Sequence, residues 1–163
     1  MFEVVGFYKF VKIFDLKRNQ KVLFEILKKK NIRGTIIISK EGVNGTISGK
    51  TVDIKFTINN LKKALKFKEF NSSNVSKSSF QPFHKPKVKI KNEVVPMNLT
   101  LNKRIKKKDS HVDPIKWNKL IKEKDTVIID ARKPFEYDVG TFKGAINPDV
   151  DNFRDFPKYL KKL

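Results

Sequence analysis

Residues 32–48 read Ile32-Arg33-Gly34-Thr35-Ile36-Ile37-Ile38-Ser39-Lys40-Glu41-Gly42-Val43-Asn44-Gly45-Thr46-Ile47-Ser48. The β-branched run at Ile36, Ile37 and Ile38 predicts a strand over 33–39, because such side chains fit a pleated, half-buried surface. Asn44-Gly45 is a strong hairpin signal, so a turn is expected within 41–45, with the chain returning as a strand over 46–48. Helical patterns flank this hairpin. Upstream, Leu16, Leu23, Ile26 and Leu27 fall on one face of a helix over 16–30, with Asp15 as its cap. The basic end Lys28-Lys29-Lys30 complements the helix dipole and needs no ligand to explain it. Downstream, Ile54, Ile58, Leu61 and Leu65 recur at helical spacing over 51–67, with Thr51 as the expected cap. A strand over 4–13 precedes the first helix. After the polar run 72–79 and Phe80-Gln81-Pro82-Phe83, apolar residues Val88, Ile90 and Val94-Val95 are separated by charges, which predicts a half-buried strand over 87–95. The order β-α-β-β-α-β predicts a ferredoxin-like, antiparallel sheet with two helices on one face. That architecture serves many activities and decides none.

The chain has 163 residues, 37 Lys+Arg and 17 Asp+Glu, for a formal net charge of +20. The charge is unevenly placed: residues 1–108 hold 26 basic and 7 acidic residues, whereas 109–163 hold 11 and 10. A basic module beside a nearly neutral one fits polyanion binding. Yet 32 of the 37 basic residues are Lys and 13 residues are Asn, a composition that A+T-rich coding also produces. Charge alone leaves both readings open. Cysteine is absent, which excludes disulfides, a thiolate nucleophile and Cys-based zinc sites within these residues. His84 and His111 are too few for a His-rich metal site, and no phosphate-binding glycine motif or Ser-His-Asp set stands out. Neither a membrane span nor a signal peptide is expected, so the expected compartment is the cytoplasm.

Residues 96–112 read as a linker, with Pro96 and the cluster Lys103-Arg104-Ile105-Lys106-Lys107-Lys108 either as a solvated tether or as a phosphate contact. A second unit is expected over 113–163. Asp113-Pro114 opens a helix with Pro in its first turn and Trp117, Leu120 and Ile121 on its apolar face. Residues 126–130 read as a fully buried parallel strand ending in Asp130. A short helix over 134–139, a loop and short strand over 140–146, and a basic aromatic helix or turn over 153–163 follow. One long parallel strand cannot bury both faces of a sheet, so this second domain is expected to be incomplete.

Asp130-Ala131-Arg132, Phe135-Glu136-Tyr137 and Gly140-Thr141-Phe142-Lys143-Gly144-Ala145-Ile146-Asn147-Pro148 together resemble the opening of a rhodanese domain. The string continues through Asn152-Phe153-Arg154-Asp155-Phe156-Pro157, which is similar to the bacterial rhodanese-domain tRNA uridine 5-hydroxylases. Tyr8-Lys9-Phe10, Ile32 to Ile36, Glu41 to Thr46, Gln81-Pro82-Phe83 with Lys87-Val88-Lys89, and Val112-Asp113-Pro114 with Trp117-Asn118 match that family in order. The resemblance implies a ferredoxin-like, acylphosphatase-like domain (1–95) followed by the first part of an α/β rhodanese domain. It also implies oxidation of the wobble uridine of tRNA to 5-hydroxyuridine, with molecular oxygen as co-substrate, tRNA as partner and no evident resident cofactor or metal. The family's reactive cysteine would fall beyond Leu163, so no catalytic residue is assigned and RNA affinity without turnover is expected of this chain. A catalytically inactive RNA-binding remnant and a rhodanese-type sulfurtransferase fragment are the alternatives.

The resemblance further implies that Asp130, Arg132, Glu136 and Arg154 support the active cleft. Asp130 and Arg132 either orient the reactive loop and a substrate phosphate or form a buried network with an ion pair to Glu136. Phe153 and Phe156 are expected in the core beside Arg154. The candidates for RNA contact are Arg33, Asn44, Phe83, His84, Lys85, Lys87 and Lys89. Arg33 offers bidentate pairing to phosphate, Asn44 stands in the expected turn, and Phe83 and His84 offer stacking groups among cations. Phe83 as a cap on the sheet edge is the plainer reading.

Overall fold

The computed structural model describes residues 1–95 and 112–163. The chain divides into two compact units, Met1–Val95 and Pro96–Leu163. The expected linker falls almost wholly on residues 96–111, so its Lys103–Lys108 cluster, like His111, lies outside the described residues. No helix among the described residues is long and apolar enough to cross a membrane.

In the first unit, β1 (Phe2–Phe10), α1 (Leu16–Lys29), β2 (Arg33–Ser39), β3 (Gly42–Gly49), α2 (Thr51–Ala64), β4 (Ser72–Ser78) and β5 (Pro86–Ile90) follow in order. The five strands lie in the order β4-β1-β3-β2-β5. The first four give the ferredoxin-like arrangement expected, every neighbouring pair antiparallel. β5 then joins β2 in parallel, which makes the sheet mixed rather than wholly antiparallel. Alternation does the sorting. Val5, Phe7, Ile36, Ile38, Val43 and Ile47 point to one side and form a core with Leu23 and Leu27 of α1 and Ile54 and Leu61 of α2. Asp15 caps α1 as expected, its carboxylate accepting from the Arg18 N–H at 3.1 Å.

Several local expectations need correction. β1 ends at Phe10, three residues early, although Ile13 is buried and its N–H reaches the Lys40 carbonyl at 3.1 Å. The hairpin turns at Lys40-Glu41, and Asn44-Gly45 lies inside β3, paired with Ile37 and Ile36. Gly45 is needed there for closeness: a Cβ would stand 2.8 Å from the Thr35 carbonyl oxygen and 3.0 Å from the Phe7 ring. Thr51 is the first helical residue of α2, and the cap is Lys50, with no side-chain hydrogen bond. The polar run 72–79 contains β4, an edge strand whose residues are almost all exposed and whose pairing is with β1 alone. The strand expected over 87–95 is shorter. Its continuation turns back so that the Val94 N–H donates to the Glu41 carboxylate at 2.7 Å, with Val94 buried.

The second unit contains α3 (Pro114–Leu120), α4 (Pro134–Val139), a 3-10 turn (Phe153–Asp155) and α5 (Phe156–Leu160). Asp113 caps α3 by accepting from the Lys116 N–H at 2.9 Å, with Pro114 in the first turn. The expected buried strand is reduced to a parallel bridge between Ile129 and Ile146, and Val127 is 59% exposed. Without neighbours on both sides, a parallel strand has nothing against which to bury its two faces.

Candidate functional site

Two groups of candidate residues stand out, one in each unit. In the first unit, strand register decides which residues share a surface. The side of the sheet opposite the helices presents Tyr8 and Phe10 from β1, Asn44 and Thr46 from β3, Arg33, Thr35 and Ile37 from β2, and Lys87 and Lys89 from β5. Four of the predicted contacts, Arg33, Asn44, Lys87 and Lys89, therefore stand on one face. Asn44 is there as a mid-strand residue, not at a hairpin tip. Pairing continues past both ends of β5: the Gly34 N–H donates to the Lys85 carbonyl at 3.2 Å, and the Lys91 N–H to the Ile38 carbonyl at 3.0 Å. Lys85, Lys87, Lys89 and Lys91 thus repeat every second residue along the sheet edge, about 6.6 Å apart.

Phe83, His84 and Lys85 enter by the loop before β5, and all three are exposed. That loop is anchored at its base. Ser48 Oγ donates to the Pro82 carbonyl at 2.6 Å, and Gln81 Nε2 donates to the Asn31 and Ser48 carbonyls at 2.8 and 3.1 Å. Phe83 follows in the left-handed region at φ 68°, with 43% of its surface exposed. A bulky residue there is strained, and such conformations cluster where ligands are held. Its exposure argues against a role as a cap on the sheet edge. Tyr8 and Thr46 are missed by sequence reasoning as members of this face, because only the register reveals that they share it with the cations.

In the second unit Asp130 organises a clasp. Arg132 Nε donates to Asp130 Oδ1 at 2.9 Å, and Nη2 reaches both Asp130 Oδ2 and the Gly140 carbonyl, the latter at 2.6 Å. Thr141 Oγ1 donates to Asp130 Oδ2 at 2.8 Å. Asn147 Nδ2 ties the carbonyls of Asp130 and Arg132 at 3.0 and 2.9 Å, and Tyr137 donates its hydroxyl to the Ala145 carbonyl at 2.9 Å. The Arg132 partner is thus Asp130, not the expected Glu136, whose carboxylate instead accepts from the Lys133 N–H at 3.3 Å. Arg154 is exposed in the 3-10 turn and forms no hydrogen bond with the clasp. Nearby Phe153 is 37% exposed rather than in the core, with its ring stacked on Phe156 at 5.5 Å. Trp117, Ile128, Ile129, Asp130, Arg132 and Thr141 line an open cleft of about 520 Å³. Among the described residues no group of three or more His, Asp or Glu could hold a metal ion.

The Arg132 guanidinium, bonded to Asp130, outweighs desolvation and holds that carboxyl far below the ordinary aspartate range, with Thr141 assisting. The same pairing raises Arg132. Asp130 is therefore a fixed anion that positions the Gly140–Thr141 loop, not a proton carrier near neutral pH. A depressed native pKa means that the clasp's contribution to stability is complete above the unfolded aspartate value of about 3.9 and is lost as pH falls through the native value. Carbon-detected NMR of the Asp130 carboxyl should show no titration from pH 7 to about 4. In Arg132→Ala the midpoint should rise towards the unfolded value of about 3.9. An unchanged midpoint in that variant would remove Arg132 as the cause.

A family model described as the UPF0176 acylphosphatase-like domain matches residues 2–94. The tRNA uridine(34) hydroxylase of Pelagibacter ubique (strain HTCC1062) is 66% identical over 163 residues, covering 100% of this chain and 54% of that protein. The tRNA uridine(34) hydroxylase of Bartonella quintana (strain Toulouse) is 37% identical over 161 residues, covering 99% and 53%. The chain spans about half the length of the curated relatives it matches. Among solved structures, the acylphosphatase from Bacillus subtilis is similar with a TM-score of 0.41 at 11% identity, covering 54% of this chain and 98% of that one.

Proposed function

Because the chain belongs to the UPF0176 family through its acylphosphatase-like domain, we propose that it acts as the N-terminal part of a cytoplasmic tRNA uridine(34) hydroxylase. The observation that carries this reading is the similarity to curated hydroxylases along the whole chain, 66% identical in the strongest instance given above. The reaction is oxygen-dependent 5-hydroxylation of the wobble uridine of tRNA. The first unit holds the tRNA through its basic surface, with Arg33, Asn44, Phe83, His84, Lys85, Lys87 and Lys89 as the contacting residues. Residues 113–163, within the second unit, are the opening of a rhodanese-like domain. There Asp130 and Arg132 support the cleft they line, and Glu136 and Arg154 serve the same domain from outside that lining. These residues hold RNA and shape the loop; none of them is a nucleophile.

Nucleoside analysis of total tRNA tests the reading. Deleting the gene that encodes this chain should abolish or sharply reduce 5-hydroxyuridine-derived nucleosides at the wobble position, and restoring it should return them. Unchanged levels would sink the hydroxylase assignment. The 163-residue chain, which holds no cysteine, is expected to bind tRNA without converting it.

A further inference from the structure

Five strands contribute side chains to the sheet face opposite the helices, and none of those side chains is a carboxylate. Arg33, Lys87 and Lys89 stand on it, and the ion pairs among the described residues, Lys30–Asp53, Arg132–Asp130 and Lys158–Asp155, use none of them. At the two ends of the face two serines are buried, one beside Arg33 and the other in the row of Phe10. Ser48 is buried beneath the Pro82 carbonyl, and Ser39 is buried with its hydroxyl accepting from the Glu41 N–H at 3.1 Å. Between them remain two rows of residues running across the strands. One row is Ser72, Tyr8, Asn44, Ile37 and Lys89; the next is Asn74, Gly6, Thr46, Thr35 and Lys87.

The first row places four kinds of group side by side: an aromatic ring, an amide, an apolar side chain and a cation. Phe10 meets Tyr8 edge to face, with ring centroids 5.9 Å apart and planes at 68°. Strands lie about 4.8 Å apart, so Tyr8 on β1 and Lys89 on β5 are separated by about 14 Å of sheet. A ring offers a surface for any base, the amide reads a base edge, and the lysines meet phosphate. Bases in a duplex are already paired and stacked and have no face to give to Tyr8.

We infer that this face binds an unpaired stretch of RNA, with its phosphates on Arg33, Lys87 and Lys89 and one base stacked on Tyr8 beside the Asn44 amide. The inference rests on the tRNA reading above and refines it: the unit grips a loop of the tRNA rather than one of its helical stems.

Fluorescence anisotropy with the full 163-residue chain tests it, using a labelled oligouridylate and a duplex RNA of equal length. The single strand should bind more tightly than the duplex. Tyr8→Leu should weaken the single strand about tenfold and leave the duplex unchanged. Lys87→Ala with Lys89→Ala should make the salt slope shallower by about 1.4, whereas the charge-matched pair Lys17→Ala with Lys55→Ala should leave the affinity within about twofold. Should Tyr8→Leu melt the fold by circular dichroism, Thr46→Glu at an exposed position of the second row replaces it, with an expected loss of at least about fivefold. Equal affinity for duplex and single strand overturns the inference, as does wild-type binding by a folded face variant. If those variants also bind whole tRNA like wild type with a steep salt slope, the tRNA reading stands and only this face is wrong. A flat salt response of the wild-type chain overturns the tRNA reading itself.

Discussion

Raising salt from about 50 to 200 mM should weaken tRNA binding by this chain about 50- to 150-fold. The expectation follows from four cations that the fold brings to one side of the first unit: Arg33 on β2, Lys85 just before β5, and Lys87 and Lys89 on β5. Each phosphate neutralised releases condensed counterions, which contributes about 0.7 to the slope of log K against log salt on single strands and about 0.9 on duplexes. Four contacts give a slope near −3, and a fourfold rise in salt gives the loss stated. The surrounding charge works in the same direction, since residues 1–95 hold 21 basic and 7 acidic side chains. A titration series of filter-binding or anisotropy curves measures the slope. A flat response would show that the basic composition reflects coding bias and meets no phosphate.

The largest expected effect on stability comes from a methyl group. Gly34 sits at φ 124°, where an L side chain is strained, and a Cβ there would lie 2.2 Å from the Thr46 carbonyl oxygen and 2.7 Å from Ile47 Cα. Both are backbone atoms of β3 and cannot swing aside. Gly34 also pairs with Pro86 of β5, so the displacement spreads over three strands. The strain alone costs about 1–3 kcal/mol, and loosening the strand pairing adds to it. Gly34→Ala should therefore destabilise the first unit by at least about 3 kcal/mol, lowering the urea midpoint by about 2 M at an ordinary m-value. Gly140→Ala, with no atom within 4 Å of the added carbon, serves as the control. Its midpoint should barely move. Matching midpoints for the two variants would mean that the β2–β3 contact is soft.

The hydrophobic pattern exposes the central strands and both helices of the first unit, because each buries an apolar stripe whose spacing is written in the chain. It does not expose β4. Ser72 to Ser78 has no buried residue, and its membership in the sheet comes from backbone pairing, which any sequence can make. Asn44-Gly45 misleads for a related reason. Its turn preference is local, whereas the need for a bare backbone beside Phe7 and Thr35 is tertiary and wins. In the second unit Asp130 and Arg132 are legible because they are two residues apart. Gly140, Thr141 and Asn147 complete the clasp from 8 to 17 positions away, beyond the reach of local pattern. The RNA candidates divide along the same line. Their residue types could be read, but which of them face the same way depends on register.

The two outer strands, β4 and β5, carry a further consequence for how the molecule behaves in concentrated solution. Open strand edges invite a second copy to add on, and on the β5 edge only the Val88 carbonyl is shown taken by a helix among the described residues, through the Gln20 amide of α1 at 2.8 Å. β4 meets this hazard with short polar side chains, and β5 with Pro86 and its alternating lysines. Two β5 edges brought together would oppose like charges at every second position. The lysines therefore keep copies apart for as long as they stay charged and bare, and modification or excess polyanion would remove that repulsion.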